Sequence, residues 1–274
     1  MIIMKAFFQN KAAVTSAVII LAVVLLAILV PVVSPYGRDD QDLLMRLTGP
    51  QRAHIIGTDE LGRDVFTRML FGTRISLVIA IVPTALAVLT GTLLGILAAY
   101  YGTVFDTVIT WLADVTLAFP GMLLAMVIMY TFGGSMSSVV LSIVVMEWGS
   151  IARIVRSATL SILENEYILA AYTIGVKRVA IILRHILPNL APTLIVLFTL
   201  NIPSSILSES GLSFLGIGIQ PPDVSLGLMV NQSKNYLFTM PWLALAPSGM
   251  IMILVLAFNF LGDALRDILD PKMD

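Results

Sequence analysis

Glu166-Tyr-Ile-Leu-Ala170-Ala171-Tyr-Thr-Ile-Gly175, running on to His185-Ile-Leu-Pro188, is a polar island between two strongly apolar segments. Its spacing predicts two short helices. The first covers Glu166 to Ile174 and ends at Gly175, a residue that takes the positive φ a β-carbon disfavours. The second covers Lys177 to Ile186, with apolar residues on one face and Lys177, Arg178, Arg184 and His185 among its polar ones. Pro188 lacks a backbone donor and predicts a break before the next apolar run. Ala170 and Ala171 are small, so another protein's surface can approach this helix closely. A solvated amphipathic loop on a membrane surface fits the same periodicity.

Outward from the island the chain is apolar. Its 274 residues are 58% hydrophobic and 12% charged, with mean hydropathy +0.97. A soluble domain carries about 25% charged residues. Runs of the ~20 apolar residues that cross a bilayer recur, and no short alternating segments of a barrel interrupt them. The expected fold is all-α and integral to the membrane. Six transmembrane helices are expected, near 12–33, 75–99, 107–131, 137–155, 190–210 and 243–262. The first follows Lys5 and Lys11; it is longer than a signal-peptide core and lacks a small-x-small cleavage site, so it is read as retained. The division is 1–34 (tail and first helix), 35–74 (an extracytoplasmic polar segment) and 75–274 (a five-helix core whose loop at 157–188 holds the island).

Six spans put both termini and the island on one side. Arg153, Arg156, Lys177, Arg178 and Arg184, with Lys5, Lys11, Arg266 and Lys272, make that side cytoplasmic by the positive-inside rule. The 35–74 segment carries six arginines against six carboxylates and nets to zero. Tyr100, Tyr101, Trp111 and Trp148 fall at inner ends, and Tyr236, Phe238 and Trp242 where the sixth span enters from outside.

Several chemistries are disfavoured. Net charge is −1 and there is no cysteine, so nothing suggests nucleic-acid binding, a disulfide frame or thiolate chemistry. His54 and His185 are far apart in sequence, and no metal site is expected. The phosphate loop Gly-x-x-x-x-Gly-Lys-Ser/Thr, HExxH and Gly-x-Ser-x-Gly are absent. An ion-gradient-driven secondary transporter is a competing reading, against which stand the absence of an inverted repeat and of an interior charge relay.

The island resembles the EAA loop of ABC-importer permeases: Glu-Ala-Ala, three residues, Gly, nine residues, then Ile-x-Leu-Pro. Ala170, Ala171, Gly175, Leu187 and Pro188 match in register. Leu169 stands at the Glu position and His185 at the Ile position, while Glu166, one turn earlier, can supply a carboxylate on the same face. The resemblance extends further. His54-Ile-Ile-Gly57-Thr-Asp-Glu-Leu-Gly62-Arg63-Asp64 is similar to the Leu-Gly-Thr-Asp-x-x-Gly-Arg-Asp signature of the peptide/nickel permeases. Leu117-Ala-Phe-Pro120, Gly211-Leu-Ser-Phe-Leu-Gly-Ile-Gly-Ile-Gln-Pro221-Pro222 and Asn259-Phe-Leu-Gly-Asp-Ala-Leu-Arg-Asp-Ile-Leu-Asp-Pro271 fit the same family. Trp111 departs from it, where arginine is common three residues before the aspartate matching Asp114.

That resemblance implies a type I importer half-pore, the C-type subunit for dipeptides, oligopeptides or nickel. It implies a second related permease, two ABC ATPases that use ATP and Mg, and an extracytoplasmic substrate-binding protein, with the island docking an ATPase. The chain itself is then no enzyme and binds no cofactor; its setting is a bacterial or archaeal cytoplasmic membrane. Three carboxylates fall in or near spans, where each costs roughly 2.5–3.5 kcal/mol and must face protein or water. Asp114 is expected in a helix–helix hydrogen bond, Glu147 at an inner interface near Arg153 and Arg156, and Glu209 at the pore by family analogy. Gly91 and Gly95 allow a close helix contact, and Pro120 and Pro203 can kink the third and fifth spans. Asp59, Glu60, Arg63 and Asp64 form a paired surface, a cap over the pore mouth or a receptor-docking surface.

Overall fold

Asp64 is where the polar stretch turns into helix. In a computed structural model that describes residues 2–269, its carboxylate accepts from the Thr67 backbone N–H at 2.8 Å and the Thr67 hydroxyl at 2.6 Å, an N-cap. The helix it starts, Val65–Tyr101, has 37 residues and is about 55 Å long. It begins about ten residues before the expected position near 75, and the polar segment is correspondingly 35–64. Of the arginines that concealed this start, Arg63 and Arg68 have an acidic partner and Arg74 lies over the Phe71 ring. Arg68, 3% exposed, lies 3.4 Å from Asp59 and 3.6 Å from Asp39, and the two carboxylates offset part of the cost of burying its charge. Asp270, Pro271 and Lys272 lie outside the described residues.

In chain order the helices are α1 (Ile2–Gln9), α2 (Lys11–Val33), α3 (Val65–Tyr101), α4 (Thr103–Ala118), α5 (Gly121–Phe132), α6 (Met136–Leu163), α7 (Glu166–Thr173), α8 (Arg178–Ile181), α9 (Leu187–Phe214), α10 (Leu226–Ser233) and α11 (Trp242–Leu269). Five helical stretches are long and apolar enough to cross a membrane, or six if α4 and α5 count as one broken span. The chain is a multi-pass membrane protein. Its basal end holds the start of α2, the α3–α4 turn, α7, α8 and the end of α11; its cap end holds residues 35–64 and α10.

The third span differs from the continuous helix expected at 107–131. It breaks into α4 and α5, inclined at 91°. Pro120 has no N–H to continue the ladder and forces Phe119 out of the helical region, to φ −84°, ψ 140°. Pro203, by contrast, lies within α9 without interrupting it, as Pro192 does. The break expected at Pro188 is also absent. Residues Ile182–Ile186 form a π-turn, and the Leu187 N–H reaches back to the Ile182 carbonyl. The wider turn makes room for the Pro188 ring, so α8 runs into α9.

The α3–α6 seam is the most extensive helix contact. A β-carbon on Gly91 would stand 2.7 Å from Ile151 Cγ2, and one on Gly95 2.6 Å from the Ala152 carbonyl oxygen. Both glycines are therefore needed for the backbones to meet. At the cap end, Val65, Met69, Ile206, Leu226, Leu243 and Leu254 form a core joining α3, α9, α10 and α11. At the basal end, Ile96, Ile151, Val155, Ile168, Ile181 and Leu190 form another, which seats α7 and α8 on α3, α6 and α9.

The cap is held by polar contacts. His54 Nδ1 lies 2.9 Å from Asp64 and its ring stacks on Tyr36 with centroids 4.7 Å apart. Ser34 and Thr67 hydroxyls meet at 2.5 Å. Arg63 and Arg68 share Asp59, and Arg38 reaches Asp39 and Asp223. Asp64→Ala removes an N-cap worth about 0.5–2 kcal/mol. It also strands the buried His54 ring nitrogen, at about 1–3 kcal/mol, while the Thr67 hydroxyl keeps Ser34. The expected result is a thermal unfolding midpoint lowered by many degrees in detergent, followed by tryptophan fluorescence, with Asp64→Asn retaining part of the loss.

Candidate functional site

The island folds as α7, a turn and α8. Within α7 the two faces separate sharply. Ile168 and Ala171 point into the basal core, while Glu166, Leu169, Ala170, Thr173 and Ile174 are exposed. The two alanines thus do different work: Ala171 packs inward and Ala170 faces out. Leu169 is 55% and Ile174 79% exposed, large apolar side chains on a helix that crosses no membrane. Glu166 lies on the same outward stripe, one turn before Ala170.

Gly175 closes the helix with φ +77°. Its N–H bonds the Tyr172 carbonyl at 3.0 Å, and the Val176 N–H bonds the Ala171 carbonyl at 3.1 Å, the paired bonds of a Schellman ending. A β-carbon there would meet nothing within 4 Å, so the requirement is conformational. One aromatic contact ties the island to α3, Tyr172 stacking on Tyr100, and a second, Tyr167 lying 6.2 Å from the His185 ring, joins α7 to the π-turn. Leu187 is partly buried against the basal core. Pro188 and Asn189 border a cavity of about 800 Å³ between α6, α9 and α11, whose wall includes Thr193, Leu200 and Arg266.

The intramembrane carboxylates are arranged differently from one another. Asp114 of α4 pairs with Arg153 of α6. One rung nearer the basal end, Asp106 pairs with Arg156, and Thr110 donates to Asp106 at 3.2 Å. The spacing Asp106–Thr110–Asp114 against Arg153–Arg156 is a helical ladder that the sequence carried and that Asp114 alone did not reveal.

Glu147 does not join those arginines. Residues 153 and 156 lie about 120° and 180° round the helix from it. It is buried, and accepts from Ser205 at 2.9 Å, which in turn meets Thr84 at 2.7 Å. Glu209, expected to face the pore, is fully buried instead. It accepts from Ser213 at 2.7 Å. Ser213 receives the Ile219 N–H at 3.1 Å, and Ser76 receives the Leu226 N–H at 3.2 Å. Ser213 thus satisfies one carboxylate oxygen from within α9, while Oε2 is buried with no hydrogen-bond partner among the described residues. Among the described residues no group of three or more His, Asp or Glu side chains is placed to hold a metal ion.

Residues 91–274 match the family described as binding-protein-dependent transport system inner membrane component, and residues 2–50 match the N-terminal transmembrane domain of oligopeptide transport permease C. The dipeptide transport system permease protein DppC of Alkalihalophilus pseudofirmus is 39% identical over 269 residues, spanning 98% of this chain and 88% of that one. The glutathione transport system permease protein GsiD of Pectobacterium atrosepticum is 39% identical over 98% of this chain and 90% of its own. The oligopeptide transport system permease protein OppC of Bacillus subtilis is 35% identical over 98% and 88%. Among solved structures, the inward-facing MetNI methionine ABC transporter superposes with TM-score 0.61 at 18% identity, over 74% of this chain and 96% of that chain.

Proposed function

The chain belongs to the binding-protein-dependent transport system inner membrane components and is the membrane-spanning permease subunit of an ATP-driven ABC importer, and we propose that its cargo is a short peptide. The relatives named above carry dipeptide, glutathione and oligopeptide in their names, and all three are peptides. The chain forms half of the pore beside a second, related permease. Two ATPases hydrolyse ATP with Mg below it, a substrate-binding protein delivers from outside, and the chain contributes no catalytic group. Both termini and α7 lie on the cytoplasmic side, as the positive-inside count requires.

The observation that carries the coupling role is the outward stripe Glu166–Leu169–Ala170–Thr173–Ile174 on a helix whose opposite face is locked into the spans. A short helix of this kind, seated in an ATPase groove, transmits the groove's displacement to α3 through Tyr172 and Tyr100 and to α9 through α8. Glu166 supplies the carboxylate contact that Leu169 cannot make. The cavity between α6, α9 and α11, about 800 Å³, lies within the usual size of a small-molecule site and forms the basal wall of the passage, with Asn189, Thr193 and Arg266 for polar groups of the cargo.

Reconstitution in nanodiscs with the partner permease, ATPases and binding protein tests this. Di- and oligopeptides, glutathione and Ni²⁺ are offered separately. The expected result is several-fold stimulation of ATP hydrolysis by the peptide-loaded binding protein. Stimulation by nickel or a metal chelate alone would assign the other cargo, and uptake driven by an ion gradient without ATP would sink the importer reading.

A further inference from the structure

Between the basal halves of α2 and α11 lies a groove of about 470 Å³. Ile19 forms part of one wall, Leu256 and Phe260 part of the other, and the small residues Ser16 and Ala257 its floor. Ser16 spends its hydroxyl on the Ala12 carbonyl at 2.7 Å, so the floor is effectively apolar. The one charged residue among those lining it is Lys11, the first residue of α2, at the basal mouth. From Lys11 to Ile19 the groove runs about 12 Å along the helix axis. We propose that it binds one anionic phospholipid, its acyl chain lying along the α2–α11 groove and its phosphate against Lys11.

Three observations select this occupant. First, α2 is the span that gives least of its surface to the rest of the chain: 22% of its apolar window is buried, against 33–50% for the others. It also matches an N-terminal family separate from the transport component at residues 91–274. It therefore borders this chain's own bundle, with most of its apolar surface uncovered. Second, the position of the charge fits a phospholipid: a lysine at the end of an apolar slot extends its stem along the slot and its ammonium to the headgroup level. Third, α1 contacts both α2 and α11. Its Phe8 is 69% exposed and packs edge-on to Phe7, as in a helix resting in the interfacial plane beside the groove's mouth.

The test is native mass spectrometry of the full chain in its transporter complex, extracted from bilayers of equal phosphatidylglycerol and phosphatidylcholine. The wild-type chain is expected to retain phosphatidylglycerol in preference. Lys11→Gln, at an exposed position, should cut that preference about fivefold, the effect of one basic side chain near a headgroup. Ile19→Trp, which fills the groove from a partly exposed wall, should abolish retention without loss of assembly. Equal retention of both lipids by the wild type would overturn the proposal, as would undiminished retention in Ile19→Trp. A photoreactive residue at position 19 that links to the partner permease rather than to lipid would show a protein occupant and overturn it equally.

Discussion

A chain carrying Gly95→Leu will not accumulate as a folded protein. The first added carbon falls 2.6 Å from the Ala152 carbonyl oxygen and 2.9 Å from Val155 Cβ. The oxygen belongs to the backbone of α6 and cannot swing aside as a side-chain tip would. Over-packing a well-filled seam costs about 1–3 kcal/mol, and here the obstruction is main chain at the largest helix contact of the fold. Few domains have more than 5–15 kcal/mol to lose. Gly91→Leu adds a second clash, 2.7 Å from Ile151 Cγ2, in the same seam. We expect the double variant to give at most about a tenth of the wild-type monodisperse peak in detergent size-exclusion chromatography. Gly249→Ala is the control: nothing lies within 4 Å of its added carbon. In mid-helix it should stabilise by about 0.5–1 kcal/mol. A normal peak for Gly95→Leu would mean that α3 and α6 do not meet as described.

The second large effect concerns traffic across the basal surface. The double variant Leu169→Asp, Ile174→Asp should fold as well as the wild type and transport at least tenfold less. Neither side chain is used by the fold. Against a partner, burying each would contribute up to about 1.5–3 kcal/mol, and the double loss corresponds to a hundredfold or more in affinity. The measurement is co-purification of the ATPase together with uptake into proteoliposomes. Ala171→Asp separates docking from folding, because it puts a charge into the basal core and should unfold the island. If the Leu169/Ile174 variant retains its ATPase and its uptake, the outward stripe is not the docking surface.

Much of this architecture was legible in the chain, and the exceptions share a cause. Hydropathy marks where a segment is apolar, so five spans appear near their expected places. It is blind to backbone geometry, so the break at Phe119–Pro120 was read as a kink and the π-turn before Pro188 as a break. It counts charges one at a time, and so missed that Arg68 is enclosed by Asp39 and Asp59 and that α3 starts at Val65. For the island, the register of Ala170, Ala171 and Gly175 predicted a short helix closed by glycine, and α7 ends that way. Which alanine faces out depends on the surface beneath the helix, formed by Ile96, Val155 and Leu190 from distant parts of the chain. Glu147 was misplaced because sequence proximity to Arg153 and Arg156 says nothing of angle round α6, and the burial of Glu209 depends on how α3, α9 and α10 pack, which hydropathy does not register.

One helix spans the whole distance between the cap and the island. At one end α3 is bound to Asp64, His54 and Ser34; at the other Tyr100 lies against Tyr172. An α-helix stretches little, and a residue added within it turns everything beyond by about 100°. Its residue count therefore sets the azimuth of the cap relative to the outward face of α7. A one-residue insertion within α3 would leave each end intact and put the two out of phase.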